Sequence, residues 1–148
     1  TVVVAALKNN VAYWASAGDS RIYHINSNGI QQITRDHNFR ITLTERYRAG
    51  QISAEDIEKN PQKNALISFV GKGKNLIIDT GSFPHVSGGE ELILLCSDGI
   101  YKALSDNEIL YTVHSNMDRL AELPEILIST ALQNKRINHD NITVMIIN

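Results

Sequence analysis

Apolar residues recur along this chain in short runs separated by turn-forming residues, and most of these runs predict β-strands. Runs of four to seven mainly apolar residues bounded by Gly, Asn, Asp or Ser are typical of strands. The predicted strands cover residues 2–7, 11–17, 21–25, 30–33, 76–79, 92–96 and 142–147. We expect the first strand to be covered on both faces, because its run is continuously apolar. The first four strands follow one another closely and predict a single antiparallel meander.

Helix signals lie between and after these strands. Helices are predicted over residues 42–49, 54–59, 105–113, 117–123 and 124–134. Ser53 with Asp56, and Ser105 with Glu108, have the spacing of capping boxes, in which each side chain binds the other's backbone N–H. The glycine-containing segment 81–89 predicts a loop. The pattern as a whole indicates an α+β domain.

The run that organises this pattern is Leu92 to Cys96, which is followed at once by Ser97, Asp98 and Gly99. A buried strand of this length would carry the Asp98 carboxylate to the edge of a sheet, where it needs water, a donor or a cation. We interpret Asp98 as a metal ligand. The alternative is a turn or helix-cap residue, since Asp-Gly is a common turn pair.

Composition narrows the possible functions. The 148 residues predict one domain, and 14 basic residues nearly balance 16 acidic ones. Without a basic stripe, nucleic acid is not an expected partner. No apolar run reaches the length of a membrane span, so no membrane partner is expected either.

Cys96 is the single cysteine, which excludes an internal disulfide and favours a reducing, cytoplasmic location. Its apolar neighbours predict a buried side chain rather than a nucleophile.

Two further acidic residues stand at strand boundaries among small or polar residues, as Asp98 does. Asp19 lies between Gly18 and Ser20, and Asp140 precedes Asn141. Mg²⁺ and Mn²⁺ prefer oxygen ligands and keep several waters, so a few carboxylates from distant loops suffice to bind them. Considered singly, each Asp is better explained as a turn or cap residue, and the spacing of the three is not diagnostic by itself.

Four motifs in order make the pattern specific: Gly18-Asp19-Ser20-Arg21, Thr34-Arg35-Asp36-His37, Ser97-Asp98-Gly99 and Asp140-Asn141-Ile142-Thr143. This series resembles the C-terminal portion of the PP2C (PPM) family of metal-dependent Ser/Thr protein phosphatases. The resemblance covers essentially the whole chain, and it includes residues 49–53, which resemble the start of the family's flap segment.

The resemblance implies a PP2C-like β-sandwich of mainly antiparallel strands flanked by helices, with a dinuclear Mg²⁺ or Mn²⁺ site at one end. By motif, Asp98 and Asp140 resemble ligands of the second metal of that pair, and Asp19 resembles a contributor to a weaker third site. Asn141 and Gly99 would not bind the metal but would help to position the residues that do. His37 matches a family position, although a purely structural imidazole is the favoured interpretation. Residues 38–75 would form a flap-like insertion.

Departures from the family pattern are equally informative. The family's N-terminal half should supply a phosphate-binding Arg and an Asp-Gly-x-Gly-Gly turn that bridges the metals, and the sequence contains no Asp-Gly-x-Gly-Gly. We therefore expect residues 1–148 to be the C-terminal part of one phosphatase domain that lacks an N-terminal segment. Beyond metal ligands, no catalytic residue is expected on this chain.

Three functions follow from the resemblance. The first is metal-dependent hydrolysis of phosphoserine and phosphothreonine in a phosphoprotein substrate, with a Ser/Thr kinase or its targets as partners and with this chain inactive by itself. The second is a non-catalytic regulatory or binding module of the same fold. The third is a related phosphatase of the branch that regulates sporulation or sigma factors.

Overall fold

Two antiparallel sheets and a layer of helices make up the computed structural model, which describes residues 1–134 and 141–148. The strands are β1 (Val2–Lys8), β2 (Val11–Ala17), β3 (Arg21–Asn26), β4 (Gly29–Gln32), β5 (Asp79–Pro84), β6 (Leu92–Cys96) and β7 (Val144–Ile147). Sheet 1 has the strand order β1-β2-β5, and sheet 2 has the order β4-β3-β6-β7. The expected α+β sandwich is confirmed.

The helices lie after the first four strands and after β6. They are α1 (Arg40–Arg48), α2 (Ala54–Lys59), α3 (Asp98–Tyr101), α4 (Asp106–His114) and α5 (Leu123–Gln133), with 3₁₀ turns at Gly73–Asn75 and Met117–Arg119. Both predicted capping boxes are present, at Ser53 and Ser105. Such caps stabilise a helix by about 1 kcal/mol each. Among the described residues, no helix is long and apolar enough to cross a membrane.

Strand β6 lies at the centre of the core, since all five of its residues are buried. Its alternate side chains face opposite layers. Leu92 and Leu94 pack against the helical layer, where Leu123 and Leu127 of α5 form a buried stripe at helical spacing. Ile93 and Leu95 pack toward sheet 1 in a second cluster that includes Ala12, Ile22 and Trp14. The predicted buried strand is therefore confirmed.

The predicted four-stranded meander is wrong. Strands β1 and β2 pair with each other in sheet 1, whereas β3 pairs with β4 and β6 in sheet 2. The chain changes sheets at Gly18, whose φ of +114° is a backbone conformation that favours glycine. This change of direction places Asp19 at one end of the sandwich.

The prediction that the first strand is covered on both faces is also wrong for the described residues. Val2 and Val4 are 41% and 53% exposed, because β1 is an edge strand whose outer face meets no other layer. Val3 and Ala5 on the inner face pack in the core between the sheets. The continuously apolar sequence of β1 therefore did not reveal that exposed and partly buried residues alternate along the first part of the strand.

The strand predicted over residues 76–79 and the loop predicted over 81–89 are displaced. The strand begins at Asp79 and continues to Pro84. Gly81 lies within it, opposite Trp14, and a Cβ at Gly81 would come within 2.8 Å of the Trp14 ring. A glycine that suggested a loop is therefore required for close packing of an aromatic side chain.

Segment 38–75 connects the two sheets and contains α1, α2 and the first 3₁₀ turn. An isolated bridge between Asn38 and Leu66 brings its two ends together. Arg40 on α1 and Lys63 both pair with Glu58 of α2, which lowers the pKa of that exposed carboxyl to about 2. The segment is a mainly helical insertion between β4 and β5, and its interpretation as a flap remains a prediction.

Candidate metal site at one end of the sandwich

Asp98 and Asp19 lie at the same end of the sandwich. Asp98 is the first residue of α3 and is separated from β6 by Ser97 alone, and Asp19 lies in the turn between β2 and β3. Because β3 and β6 are antiparallel neighbours with Arg21 opposite Cys96, the start of β3 meets the end of β6. The hydroxyl of Tyr101 in α3 donates a hydrogen bond to the Asp19 carbonyl oxygen at 2.9 Å. Two of the three predicted ligand residues are thus brought together.

The two carboxylates repel each other. Partial burial, followed by the negative charge of Asp98, raises the pKa of Asp19 above its ordinary value. The ammonium group of Lys102, one helical turn after Asp98, forms an ion pair with the Asp98 carboxylate. Half-buried carboxylates of like charge at the edge of a sheet are the arrangement that a divalent cation stabilises.

Asp140 lies outside the described residues, so the structure does not test its predicted position. The residue that follows it, Asn141, approaches the Asp98 turn. The Ser97 hydroxyl donates to the Asn141 carbonyl oxygen at 3.1 Å and accepts a hydrogen bond from the backbone N–H of Thr143 at 2.9 Å. Ser97 therefore joins the end of β6 to the segment that enters β7.

Gly99 allows this approach. A Cβ at Gly99 would lie 2.8 Å from the Asn141 carbonyl oxygen and 2.8 Å from a side-chain carbon of Ile142. Real Cβ contacts are essentially never so short, so a larger residue would push the two segments apart. The structure shows a close approach of the Gly99 and Asn141 backbones, and the roles of these two residues in supporting metal ligands remain predictions.

The turn that carries Asp19 is held by His37. The backbone N–H of Gly18 donates to His37 Nδ1 at 3.1 Å, and the N–H of His37 donates to the Gly18 carbonyl at 2.9 Å. Since Nδ1 accepts, the proton is on Nε2, which lies 3.0 Å from Asp79 Oδ2. The ring is fully buried. His37 is a structural residue here, in agreement with the favoured interpretation.

Arg21 and Asp36 form a second support that the sequence did not reveal. The Arg21 guanidinium donates from Nε to Asp36 Oδ1 at 2.9 Å and from Nη2 to Asp36 Oδ2 at 2.8 Å. The Cζ atom of Arg21 lies 3.5 Å from the centre of the Tyr101 ring. Arg21 also donates to the Tyr23 hydroxyl at 2.7 Å. Burial raises the pKa of Tyr101 above its ordinary value, so its hydroxyl stays a neutral donor. The only sequence signal for this contact was that Arg21 and Asp36, which are 15 residues apart, each belong to one of the four motifs that resemble the phosphatase family.

A cleft of about 760 Å³ opens beside Asp19. Its walls come from β3, the segment after β4, helix α1 and the end of α3. Five basic residues and three acidic ones line it: Arg21, Arg35, Arg40, Arg48 and Lys102, with Asp19, Asp36 and Glu45. A cleft with excess positive charge next to acidic residues suits an anionic group brought close to a cation.

Cys96, at the end of β6, takes no part in this chemistry. Its thiol is buried, and burial raises its pKa to about 12. A thiol with so high a pKa is a poor nucleophile and a poor metal ligand. The expectation of a small buried hydrophobic side chain is confirmed.

Comparisons with known proteins relate this arrangement to phosphatases. No protein-family model matches the chain. It is 35% identical over 147 residues to the protein phosphatase PhpP of Streptococcus pneumoniae, of which it covers 56%. It is 32% identical over 147 residues to the serine/threonine phosphatase stp of Listeria welshimeri, of which it covers 55%. The chain thus spans about half the length of the curated relatives it matches.

Solved structures agree with these sequence relationships. The serine/threonine phosphatase of S. agalactiae superimposes with a TM-score of 0.77 at 27% identity, over 97% of this chain and 56% of that protein's chain. The catalytic domain of the phosphatase PstP, solved in complex with two manganese ions, superimposes with a TM-score of 0.69 at 26% identity, over 97% of this chain and 55% of that one. The resemblance found in the motifs therefore extends to the fold.

Proposed function

We propose that this chain, which is a partial domain of the PP2C (PPM) family of Ser/Thr protein phosphatases, supplies one part of the active site for metal-dependent hydrolysis of phosphoserine and phosphothreonine. The observation that carries the proposal is the proximity of the Asp98 and Asp19 carboxylates at one end of the sandwich. The fold of this sandwich is similar to that of a phosphatase solved with two manganese ions. The substrate would be a phosphoprotein.

Asp98 and Asp140 would hold one divalent cation, Mg²⁺ or Mn²⁺, and Asp19 would contribute with Asp98 to a further site. When bound, such cations lower the pKa of a coordinated water, which can then attack phosphorus at neutral pH. The chain's own residues keep the ligands in place. Ser97 fixes the turn after β6, and His37 and Asp36 fix the turn that contains Asp19 through Gly18 and Arg21.

The cleft beside Asp19 would receive the phosphorylated segment of the substrate. Arg40 and Arg48 on α1 face this cleft from segment 38–75, and Arg35 faces it from the segment after β4. We assign segment 38–75 as the flap-like wall of the substrate channel, and residues 1–148 as the C-terminal part of the domain. The phosphate-positioning Arg and the bridging Asp would come from the part of the relatives that this chain does not cover.

The cellular setting follows from the same chemistry. A phosphatase of this class reverses the action of a Ser/Thr kinase, so we propose such a kinase or its phosphorylated targets as partners. The buried reduced thiol of Cys96 suits a cytoplasmic location.

The test is a chimera that joins residues 1–148 to the portion of PhpP that this chain does not cover. We expect Mn²⁺-dependent hydrolysis of a phosphothreonine peptide by the chimera and no measurable hydrolysis by residues 1–148 alone. Asp98→Asn should lower kcat/KM of the chimera by at least about 100-fold, because a lost ligand costs more than a lost supporting group. The control is Asp118→Asn, an exposed carboxylate away from the cleft.

Three results would decide against parts of this assignment. Full activity of the Asp98→Asn chimera would show that Asp98 is only a turn residue. A chimera that folds and binds Mn²⁺ but hydrolyses nothing would favour the non-catalytic regulatory module. Loss of activity in Asp118→Asn would show that the assay reports folding rather than ligand chemistry.

A further inference from the structure

Two histidines and a glutamate meet at the end of the sandwich opposite to Asp98. His24 lies on β3, His85 directly follows β5, and Glu91 directly precedes β6. One ligand atom from each lies within 4.8 Å of the other two. His24 Nε2 is 3.4 Å and His85 Nδ1 is 3.7 Å from Glu91 Oε2. The length of β6, about 16 Å at 3.3 Å per residue, separates this cluster from the Asp98 end.

The imidazoles in this cluster are buried without hydrogen-bond partners. The His85 side chain is fully buried, and the His24 side chain is 14% exposed. Within the described residues, both ring nitrogens of His85 and Nε2 of His24 make no hydrogen bond. A buried polar group left unsatisfied costs about 1–3 kcal/mol. Two of these nitrogens, His24 Nε2 and His85 Nδ1, lie within 4 Å of the Glu91 carboxylate without a hydrogen bond to it, which indicates that the cluster can accept a ligand.

We propose that His24, His85 and Glu91 form a binding site for a divalent transition-metal ion, for which Zn²⁺ is the best match. Two imidazoles and one carboxylate are a ligand set that Zn²⁺ uses, with water in the fourth position. Imidazole nitrogen suits Zn²⁺, whereas Mg²⁺ requires oxygen ligands. The site is therefore chemically distinct from the all-carboxylate cluster at the other end.

The geometry needs only small side-chain movements to close around an ion. Ligand atoms about 2.0–2.1 Å from a tetrahedral Zn²⁺ lie about 3.3 Å from one another. The two His–Glu separations, 3.4 and 3.7 Å, are already near this value.

The positions of the ligands also define what the ion would do. His24 lies in sheet 2 and Glu91 directly before its strand β6, whereas His85 directly follows β5 of sheet 1. The loop between His85 and Glu91 is tied to the end of the chain by Asn148, whose side-chain amide donates to the carbonyls of Gly89 and Glu91 at 2.8 and 3.2 Å. An ion at this site would clamp the two sheets and this loop together, as a structural metal does.

The experiment is a Zn²⁺ titration of residues 1–148 by calorimetry in millimolar Mg²⁺, paired with thermal unfolding. We expect one Zn²⁺ per chain with a micromolar or tighter Kd. At a hundredfold excess over Kd, Zn²⁺ should raise Tm by about 5–10 °C, because it binds only the folded state. Co²⁺ in place of Zn²⁺ should give the visible absorption bands of a tetrahedral site that contains nitrogen ligands.

Matched variants separate this site from others on the chain. Glu91→Gln keeps the shape of a side chain that is one-third exposed and removes its charge, so the protein should fold and lose Zn²⁺ affinity by at least about 100-fold. His24→Gln should do the same and abolish the Co²⁺ bands. Glu90→Gln, the neighbouring exposed glutamate, and Asp98→Asn, at the opposite end, should bind Zn²⁺ as the unmodified chain does.

Several outcomes would overturn the proposal. Failure of the unmodified chain to bind one Zn²⁺ at micromolar concentration would remove it, and so would unchanged binding in Glu91→Gln and His24→Gln. Loss of binding in Asp98→Asn would assign the ion to the carboxylate end instead. Loss in Glu90→Gln would show a nonspecific effect of surface charge.

Discussion

At the residue scale, the supports of the Asp19 turn are linked through Asp79. Its carboxylate accepts from Arg35 at 3.2 Å and lies 3.0 Å from Nε2 of the fully buried His37. Burial alone would raise the pKa of Asp79, but the adjacent His37 imidazole and the hydrogen bonds from Arg35 keep it below its ordinary value. The ionised form of Asp79 therefore stabilises the folded state.

We predict that Asp79→Ala lowers the free energy of unfolding at pH 7 by about 1–3 kcal/mol, because the buried Nε2 of His37 would lose the carboxylate that lies 3.0 Å from it. Since the folded-state pKa is depressed, the difference between the two proteins should be complete above about pH 4, the ordinary pKa of Asp. It should then vanish as the pH falls through the lower folded-state pKa. Urea denaturation at a series of pH values measures this difference.

The control for this change is Asp118→Ala, in which an exposed aspartate is removed and the unfolding free energy should change by less than about 0.5 kcal/mol. An Asp79→Ala protein as stable as the unmodified chain would mean that water replaces the carboxylate. The support of the Asp19 turn would then not depend on this contact.

At the scale of elements, the end of β6 and the entry to β7 depend on one another. Ser97 exchanges hydrogen bonds with Thr143 and donates to Asn141, while Gly99 leaves room for the Asn141 backbone. Helix α3 begins within this contact, so the direction of the Asp98 side chain is set by how closely the two segments approach. Local helix propensity has little influence on a helix of four residues.

Gly99→Ala should therefore destabilise the protein by about 1–3 kcal/mol, as added volume does in a well-packed site. Its φ is outside the left-handed region, so the penalty comes from contact and not from backbone strain. Chemical denaturation compares it with Gly89→Ala, where the nearest atom to the new Cβ would be at an ordinary 3.5 Å. Equal stability of the two variants would contradict the close approach of residues 99 and 141.

At the scale of the whole molecule, the sandwich has two ends with different donor chemistry. Carboxylates gather at the Asp19–Asp98 end, and imidazoles with one carboxylate gather at the other. Cations that prefer oxygen and cations that prefer nitrogen should therefore bind at opposite ends. At the carboxylate end, Lys102 already neutralises part of the charge.

We predict that residues 1–148 bind Mn²⁺ more weakly than a sensor-type site with a Kd of ~10⁻⁷ M, because few fixed oxygens are present and Lys102 competes for Asp98. Lys102→Gln should tighten Mn²⁺ binding severalfold, since it removes this competing charge. Lys74→Gln, an exposed lysine in the first 3₁₀ turn, serves as the matched control. Calorimetric titration that finds tight binding, or equal affinity in both variants, would show that the ligand set is different.

Much of the local structure could be predicted from the sequence, because its signals lie within a few residues of one another. The capping boxes at Ser53 and Ser105, the apolar stripe of α5 and the buried run of β6 each depend on contacts between near neighbours or on a simple period. The four motifs led to the phosphatase resemblance, which implied that Asp98 and Asp19 lie close together, and the structure brings these two residues to the same end of the sandwich. Those features needed no knowledge of which strand pairs with which.

Only the tertiary structure decided the sheet to which each strand belongs and the partners of the polar side chains. Asp79 meets Arg35 across 44 residues, and His24, His85 and Glu91 come together from three separate elements. Such contacts depend on the turn at Gly18, which sends β3 into the second sheet instead of extending the first. Alternating hydrophobicity predicts which face of a strand is buried, but it does not identify the neighbouring strand, because one apolar face can be covered by many others.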